Sequence, residues 1–260
     1  MSGTELNSAH AVETASSPAK WVYTVGQLAV WIELLIFRRW LGGEFLLFRS
    51  IGLIPVGPKA MPIKALVWFT FLQQHPLLGF TFLNGFDMVN FVLAGVVLLV
   101  LYAILKRIDH AFMVLALAFM LVAIVVYIAS NPAVPMLGLS GQYAAATNDA
   151  QRAELVSAGE ALLTDKNVGS MGQNVAFVFF HVAGLIVSLV MLRSLIFSKR
   201  TAWLGILFNA FGLGFPIAMA LAPGSVILPG AAWIIGVIFW VFWYIGIART
   251  FHRLARSERP

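Results

Sequence analysis

Long apolar stretches separated by short charged links make up most of this chain. A hydrocarbon core about 30 Å thick needs roughly 20 apolar residues in a helix that rises about 1.5 Å per residue. Five segments reach that length: Phe86 to Leu105, Phe112 to Ser130, Gln173 to Leu192, Trp203 to Leu221 and Val226 to Ile247. Apart from Asp87, none of them holds a charged side chain. A soluble core helix has no reason to exclude charge on every face, so the pattern predicts membrane-spanning helices.

Two earlier segments are ambiguous. Trp21 to Phe37 is apolar enough to span but contains Gln27 and Glu33, and Val67 to Leu83 is interrupted by Gln73, Gln74, His75 and Pro76. Between them lie Arg38, Arg39, Arg49, Lys59 and Lys64, a basic cluster that the charge rule expects in the cytoplasm. If both cross, there are seven spans and the N-terminus is outside. If only the second crosses, there are six, and Trp21 to Phe37 lies in the inner interface. If only the first crosses, the basic cluster lands outside, and Val67 to Leu83 is an interfacial helix broken at Pro76.

Charge orients the array. The links on one side hold Lys106, Arg107, Arg193, Lys199, Arg200, Arg249, Arg253, Arg256 and Arg259; the other side holds only Arg152 and Lys166. Cytoplasmic loops are enriched in Lys and Arg, so the C-terminus is expected in the cytoplasm and Asn131 to Gly172 outside. In that outer loop Pro132 and Pro135 stop a helix, and Ser140 or Thr147 can cap a new one. Asp149 to Leu163 then predicts an amphipathic surface helix with Ala150, Ala153, Leu155, Ala158 and Leu162 as its apolar positions. The predicted fold is an all-α polytopic transmembrane helical bundle of six or seven spans, with that one amphipathic helix in the outer loop, 131–172. Around the bundle, 65–251, stand a disordered polar tail, 1–20, an apolar-then-basic stretch, 21–64, and a basic cytoplasmic tail, 252–260.

Composition agrees with a bilayer as solvent. Sixty per cent of the 260 residues are hydrophobic and 11% charged, where a soluble domain carries about 25% charged residues. The net charge of +6 does not indicate nucleic acid, because the basic groups flank apolar runs instead of forming a solvated patch. The absence of cysteine excludes disulfides, thiolate metal sites and lipidated cysteines. The first twenty residues lack the layout of a cleavable signal peptide.

Several strings resemble a known family: Gln74-His-Pro-Leu-Leu-Gly-Phe followed by Asp87 and Asn90, the loop running from Leu139-Ser-Gly-Gln-Tyr through Gly159-Glu-Ala-Leu, and Met191-Leu-Arg-Ser-Leu-Ile-Phe-Ser-Lys before Leu204-Gly-Ile. They are similar to an uncharacterised family of bacterial integral membrane proteins, a domain of unknown function with about six helices. The likeness runs from about Lys64 to Phe251. It implies a helical fold and the bacterial cytoplasmic (inner) membrane, and it brings no activity.

The residues carry little recognisable chemistry. The five histidines, His10, His75, His110, His181 and His252, include no pair at i, i+3 or i+4, so no metal site is expected. There is no nucleophile elbow, phosphate loop or cofactor motif. Polar groups in hydrocarbon are the remaining candidates, because they cost energy unless paired. Asn174, His181 and Ser188 recur every seven residues on one helix face, and Gly205, Asn209, Gly212 and Pro216 form a stripe on the next helix. Both stripes are expected to face the bundle interior, either as close packing or as a substrate path. His181 stands roughly 12 Å below the outer end of its segment and Asn209 about 9 Å above the inner end of its own, which predicts no direct contact. A second cluster, Asp87, Asn90 and Gln173, sits at the outer rim, where Asp87 either caps its helix or binds a ligand. His75 and Pro76 mark a helix break of the kind that lines sites in transporters.

Three function classes follow. The first is a non-enzymatic membrane component that binds or moves a small molecule or lipid; the second is a structural or accessory subunit; the third is a membrane-embedded enzyme. The expected partners are the lipid bilayer and, at the arginine-rich tail, anionic lipid. Oligomeric state is not legible.

Overall fold

In a computed structural model, residues 18–39, 64–167, 171–221 and 227–257 are described. They are all-helical, with ten helices and no strand among the described residues. In chain order these are α1 (Lys20–Arg39), α2 (Ala65–Gln74), α3 (Pro76–Phe82), α4 (Gly85–Leu105), α5 (His110–Ser130), α6 (Ala133–Ala145), α7 (Asp149–Asn167), α8 (Met171–Arg193), α9 (Lys199–Leu221) and α10 (Ile227–Ser257). Most of the expected tail 1–20, and Arg49, Lys59 and Arg259, lie outside the described residues.

Six stretches are long and apolar enough to cross a membrane: Lys20–Phe37, Gly85–Leu105, His110–Ala145, Met171–Arg193, Lys199–Ala218 and Gly230–Arg256. The protein is a multi-pass membrane protein. Every one of these helices turns large apolar side chains outward, among them Trp21, Leu99, Leu121, Val125, Leu189, Ile217 and Ile238. In water such a belt would be an aggregation surface far beyond the few hundred Å² a soluble monomer tolerates; in lipid it is the solvated face.

The segment from Val67 to Leu83 does not cross. It divides at His75 into α2 and α3, of 10 and 7 residues, which reach only about 15 and 10 Å. Proline has no N–H and clashes with the preceding turn, so Pro76 ends one helix and serves as the first residue of the next, where a missing donor costs nothing. Six helices are long and apolar enough to span, and α1 is one of them, which fits the alternative in which the first segment crosses and the second does not. It is α1 that joins the bundle.

Contacts define two faces. On one, Gln27 Nε2 donates to His252 Nδ1 at 3.3 Å, Arg193 bridges Asp109 at 3.1 Å, and an Arg253 N–H reaches the Ile196 carbonyl. The start of α1, the α4–α5 and α8–α9 links and the end of α10 therefore share this terminal face. On the opposite, cap face, α2, α3, α6 and α7 close over a second core of Ala65, Trp68, Phe69, Leu72, Leu83, Ala133, Met136 and Leu163. Ser140 Oγ donates to the Phe69 carbonyl at 2.9 Å, and Gln73 Nε2 to the Ser140 carbonyl at 3.1 Å. Lys64 thus lies on the cap face, against the expectation that the whole basic cluster shares a side with the C-terminus. The charge rule is a bias over many links, and a short helix pair cannot obey it by crossing.

The outer loop also differs in detail. Pro132 and Pro135 interrupt the helix only briefly, because α6 resumes at Ala133 with Pro135 in its first turn. Ser140 sits inside α6, and the cap of α7 is Asn148, whose Oδ1 accepts from Gln151 N at 2.8 Å. The buried side of α7 carries Val156, Gly159 and Leu163, while Ala150, Ala153 and Ala158 are exposed. Gly159 meets the Phe69 ring and Ala65 so closely that any β-carbon would collide with both.

Because the chain lacks cysteine, single cysteines report sidedness cleanly. Lys64→Cys and Glu154→Cys are expected to react with an impermeant maleimide from the same side of sealed vesicles, and Lys199→Cys from the other. Reaction of Lys64→Cys together with Lys199→Cys would restore a crossing by Val67 to Leu83.

Candidate functional site in the bundle core

His181 of α8 and Asn209 of α9 meet at mid-depth. His181 Nδ1 lies 3.2 Å from Asn209 Oδ1, and Asn209 Nδ2 donates to the Gly205 carbonyl at 2.7 Å. The second bond orients the amide, so its oxygen faces the imidazole and Nδ1 carries the ring proton. Ser188 turns its hydroxyl back onto the Gly184 carbonyl at 2.8 Å. His181, Ser188 and Asn209 are all buried.

This contact corrects the expected separation of His181 and Asn209. α9 starts at Lys199, four residues ahead of Trp203, and α8 continues to Arg193. Asn209 is then about 15 Å and His181 about 18 Å from the terminal-face ends of their helices. A difference near 3 Å is within side-chain reach. Glycine brings the backbones together: a β-carbon at Gly184 would strike the Asn209 amide, one at Gly205 the Ser188 hydroxyl and the Trp243 indole, and one at Gly212 the His181 ring. Pro216, one turn after Gly212, has no N–H for the Gly212 carbonyl.

Aromatic rings seal the layer. Phe180 and Phe208 stand edge-on to His181, with centroids at 5.2 and 5.1 Å, and Phe208 continues to Trp243 at 5.6 Å. Trp243 and Tyr244 bring α10 into the site, and the buried Trp243 Nε1 has no hydrogen-bond partner among the described residues. Beside them lies a cavity of about 20 Å³, lined by Leu98, Leu101, Phe180, Val187, Asn209 and Tyr244 among others. That is room for about one water, in a mostly apolar wall.

Glu33 is the residue that sequence reasoning missed. In the sequence it reads as an obstacle to a span, yet an acid within an apolar run is itself a functional signal. Tyr23, Gly26, Val30 and Glu33 follow at steps of three and four, and all four are buried on the face that meets α10 and α4. Tyr244 lies beside the Glu33 carboxyl and packs on the Trp240 ring, with centroids 4.9 Å apart, while Glu33 Oε1 has no hydrogen-bond partner among the described residues. Tyr244 is 14 residues past Gly230 and 12 before Arg256, so this contact also falls at mid-span.

The remaining candidates lie elsewhere. Asn174 is half-buried in the first turn of α8, about 10 Å along the helix from His181. At the rim, Asp87 Oδ2 accepts from the Tyr127 hydroxyl and Oδ1 from Asn90 Nδ2, both at 3.3 Å. Asp87 therefore ties α4 to α5 through a side chain, and Tyr127 stacks on Phe91 at 4.1 Å just below. Gln173 is buried at the start of α8. Exposed His75 and Pro76 belong to the cap face, away from the core layer. Comparison with protein-family models, with curated proteins and with solved structures finds no match to this chain.

A double-mutant cycle with His181→Leu and Asn209→Leu should give a coupling of about 0.6 to 2 kcal/mol in detergent unfolding. Additive losses would show that the two side chains do not pair. Gly212→Val should lower the unfolding temperature more than Gly214→Val, because Gly214 has only Ala232 Cβ, at 3.8 Å, near its missing β-carbon.

Proposed function

We propose that this chain is a non-enzymatic protein of the bacterial cytoplasmic membrane, of the family its outer loop resembles, and that it binds or moves a small molecule through the polar layer at the centre of its bundle. One observation carries the reading: His181, Asn209, Trp243 and Tyr244, drawn from three helices, converge at mid-depth beside a cavity. Polar groups at that depth are costly, and a bundle built only to pack would leave none unsatisfied. The buried indole N–H of Trp243 is such a group. The cavity takes about one water, so a larger solute passes only when the helices part, and the glycine contacts between α8 and α9 are where small rotations change the gap most.

Charge supports the orientation. The terminal face carries Lys20, Lys106, Arg107, Arg193, Lys199, Arg200, Arg249, Arg253 and Arg256. Against these nine, the ends of helices on the cap side hold Arg38, Arg39, Lys64, Arg152 and Lys166, so the terminal face is assigned to the cytoplasm. The exposed Arg249 and Arg256 fit anionic headgroups there. A second reading, an accessory subunit, draws on the cavity's small size and largely apolar wall, which suit packing alone.

Vesicles containing the purified chain should equilibrate at least one small solute, tested across water, polyols and amino acids by light scattering, faster than empty vesicles. The combined variant Asn174→Ala, His181→Leu, Asn209→Ala should lose that difference while keeping its helical content. No gain over empty vesicles for any solute, or equal rates for the variant, would leave the accessory reading.

A further inference from the structure

The solute path proposed above makes no use of Glu33, and the geometry around that residue has its own meaning. Glu33 is 4% exposed and meets α10 at mid-span. Tyr244 lies beside the carboxyl and packs in turn on the Trp240 ring, with centroids 4.9 Å apart. Oε1 has no partner among the described residues.

Among the described side chains that face it, no counter-charge neutralises it. On α4, which flanks α1, the titratable groups are Asp87, engaged with Tyr127 and Asn90, and Tyr102, engaged with His110. On α10, Tyr244 is the phenol already described, His252 pairs with Gln27, Arg253 binds the Ile196 carbonyl, and Arg249 and Arg256 are exposed. A carboxylate removed from water without a cation neutralises itself by keeping its proton. A neutral acid here would carry its O–H at Oε1, the buried oxygen with no partner among the described residues. A proton in that position leaves as soon as a base or a water chain arrives.

We propose that Glu33 is an intramembrane proton-binding site, loaded in the closed packing of α1 against α10 and emptied when the two helices part and water reaches the carboxyl. The proposal adds a proton to the reading of the core layer as functional, and it rests on that reading only for its purpose, not for its chemistry. The occupied site is a covalent O–H bond on a carboxyl oxygen; emptying it transfers H⁺ to water and leaves a carboxylate whose charge the incoming water solvates.

Infrared spectra of the full chain in nanodiscs test it directly. At neutral pH the wild type should show the carbonyl stretch of a protonated carboxylic acid, above the amide bands, and Glu33→Gln should lack it. Tyr244→Phe should keep the band, because burial of the carboxyl away from any cation, and not the phenol, holds the proton. Dicyclohexylcarbodiimide then tests opening. The acid proton goes to a carbodiimide nitrogen, the carboxylate oxygen adds to the central carbon, and an acyl shift gives a stable N-acylurea with no atom lost. Peptide mass spectrometry should find this adduct at Glu33 at least tenfold above the exposed Glu154 and Glu160, whereas a water-soluble carbodiimide should reverse the preference.

A carboxylate stretch with no acid band in the wild type, or an acid band that persists unchanged in Glu33→Gln, overturns the proton site. An acid band with no adduct at Glu33 overturns the opening. If vesicles equilibrate no solute yet the acid band is present, the solute-path reading fails and the proton site stands.

Discussion

Satisfying polar groups where no water can reach them is the constraint on which the rest of this structure depends. Lipid offers neither donor nor acceptor, so each backbone bond must be closed within a helix and each side-chain donor must find a partner inside the bundle. The outward faces of all six spanning helices obey by being apolar, with Leu121 and Val125 more than half exposed. The inward faces obey by proximity. Asn209 bonds the Gly205 carbonyl and His181 at once, and Ser188 bonds the backbone of its own helix. Where that accounting does not close among the described residues, as at Trp243 Nε1, Glu33 Oε1 and Asn90 Oδ1, function is a natural place to look.

Glycine makes the accounting possible. Van der Waals contact and hydrogen bonding hold helices together in lipid, and both fall away steeply with distance. At Gly184, Gly205 and Gly212 the missing side chain is replaced by a neighbour's polar group, an amide, a hydroxyl with an indole, and an imidazole respectively. Close approach and polar pairing are therefore one feature, and a methyl group at any of the three positions would disturb both. The same device recurs in the cap, where Gly159 of α7 receives the ring of Phe69.

The two layers of the molecule differ in how they are held. The bundle core is wide and mixes aromatic rings with buried polar groups along α8, α9 and α10. The cap is a small apolar cluster pinned by side-chain bonds to backbone carbonyls, Ser140 to Phe69 and Gln73 to Ser140. Asn131 joins the layers at the turn between α5 and α6: its Nδ2 donates to the Asn84 carbonyl and its Oδ1 accepts from Ala133 N. Asn84 itself takes φ 60°, a left-handed conformation that asparagine tolerates better than most residues, and so turns the chain from the cap into α4.

Hydropathy alone determined the all-helical membrane fold, the five longest spans and the inward face of the His181 and Asn209 stripes, because a bilayer imposes length and polarity locally on each segment. Three matters were decided only by tertiary structure. Whether Val67 to Leu83 crosses depended on packing over α6 and α7, which a local pattern does not contain. The pairing of His181 with Asn209 depended on where α9 begins, since four extra residues move a side chain by about 6 Å along the axis. And Glu33 gained its meaning from Tyr244, more than two hundred residues away in sequence and brought to its side only because α1 and α10 run antiparallel through the same oil.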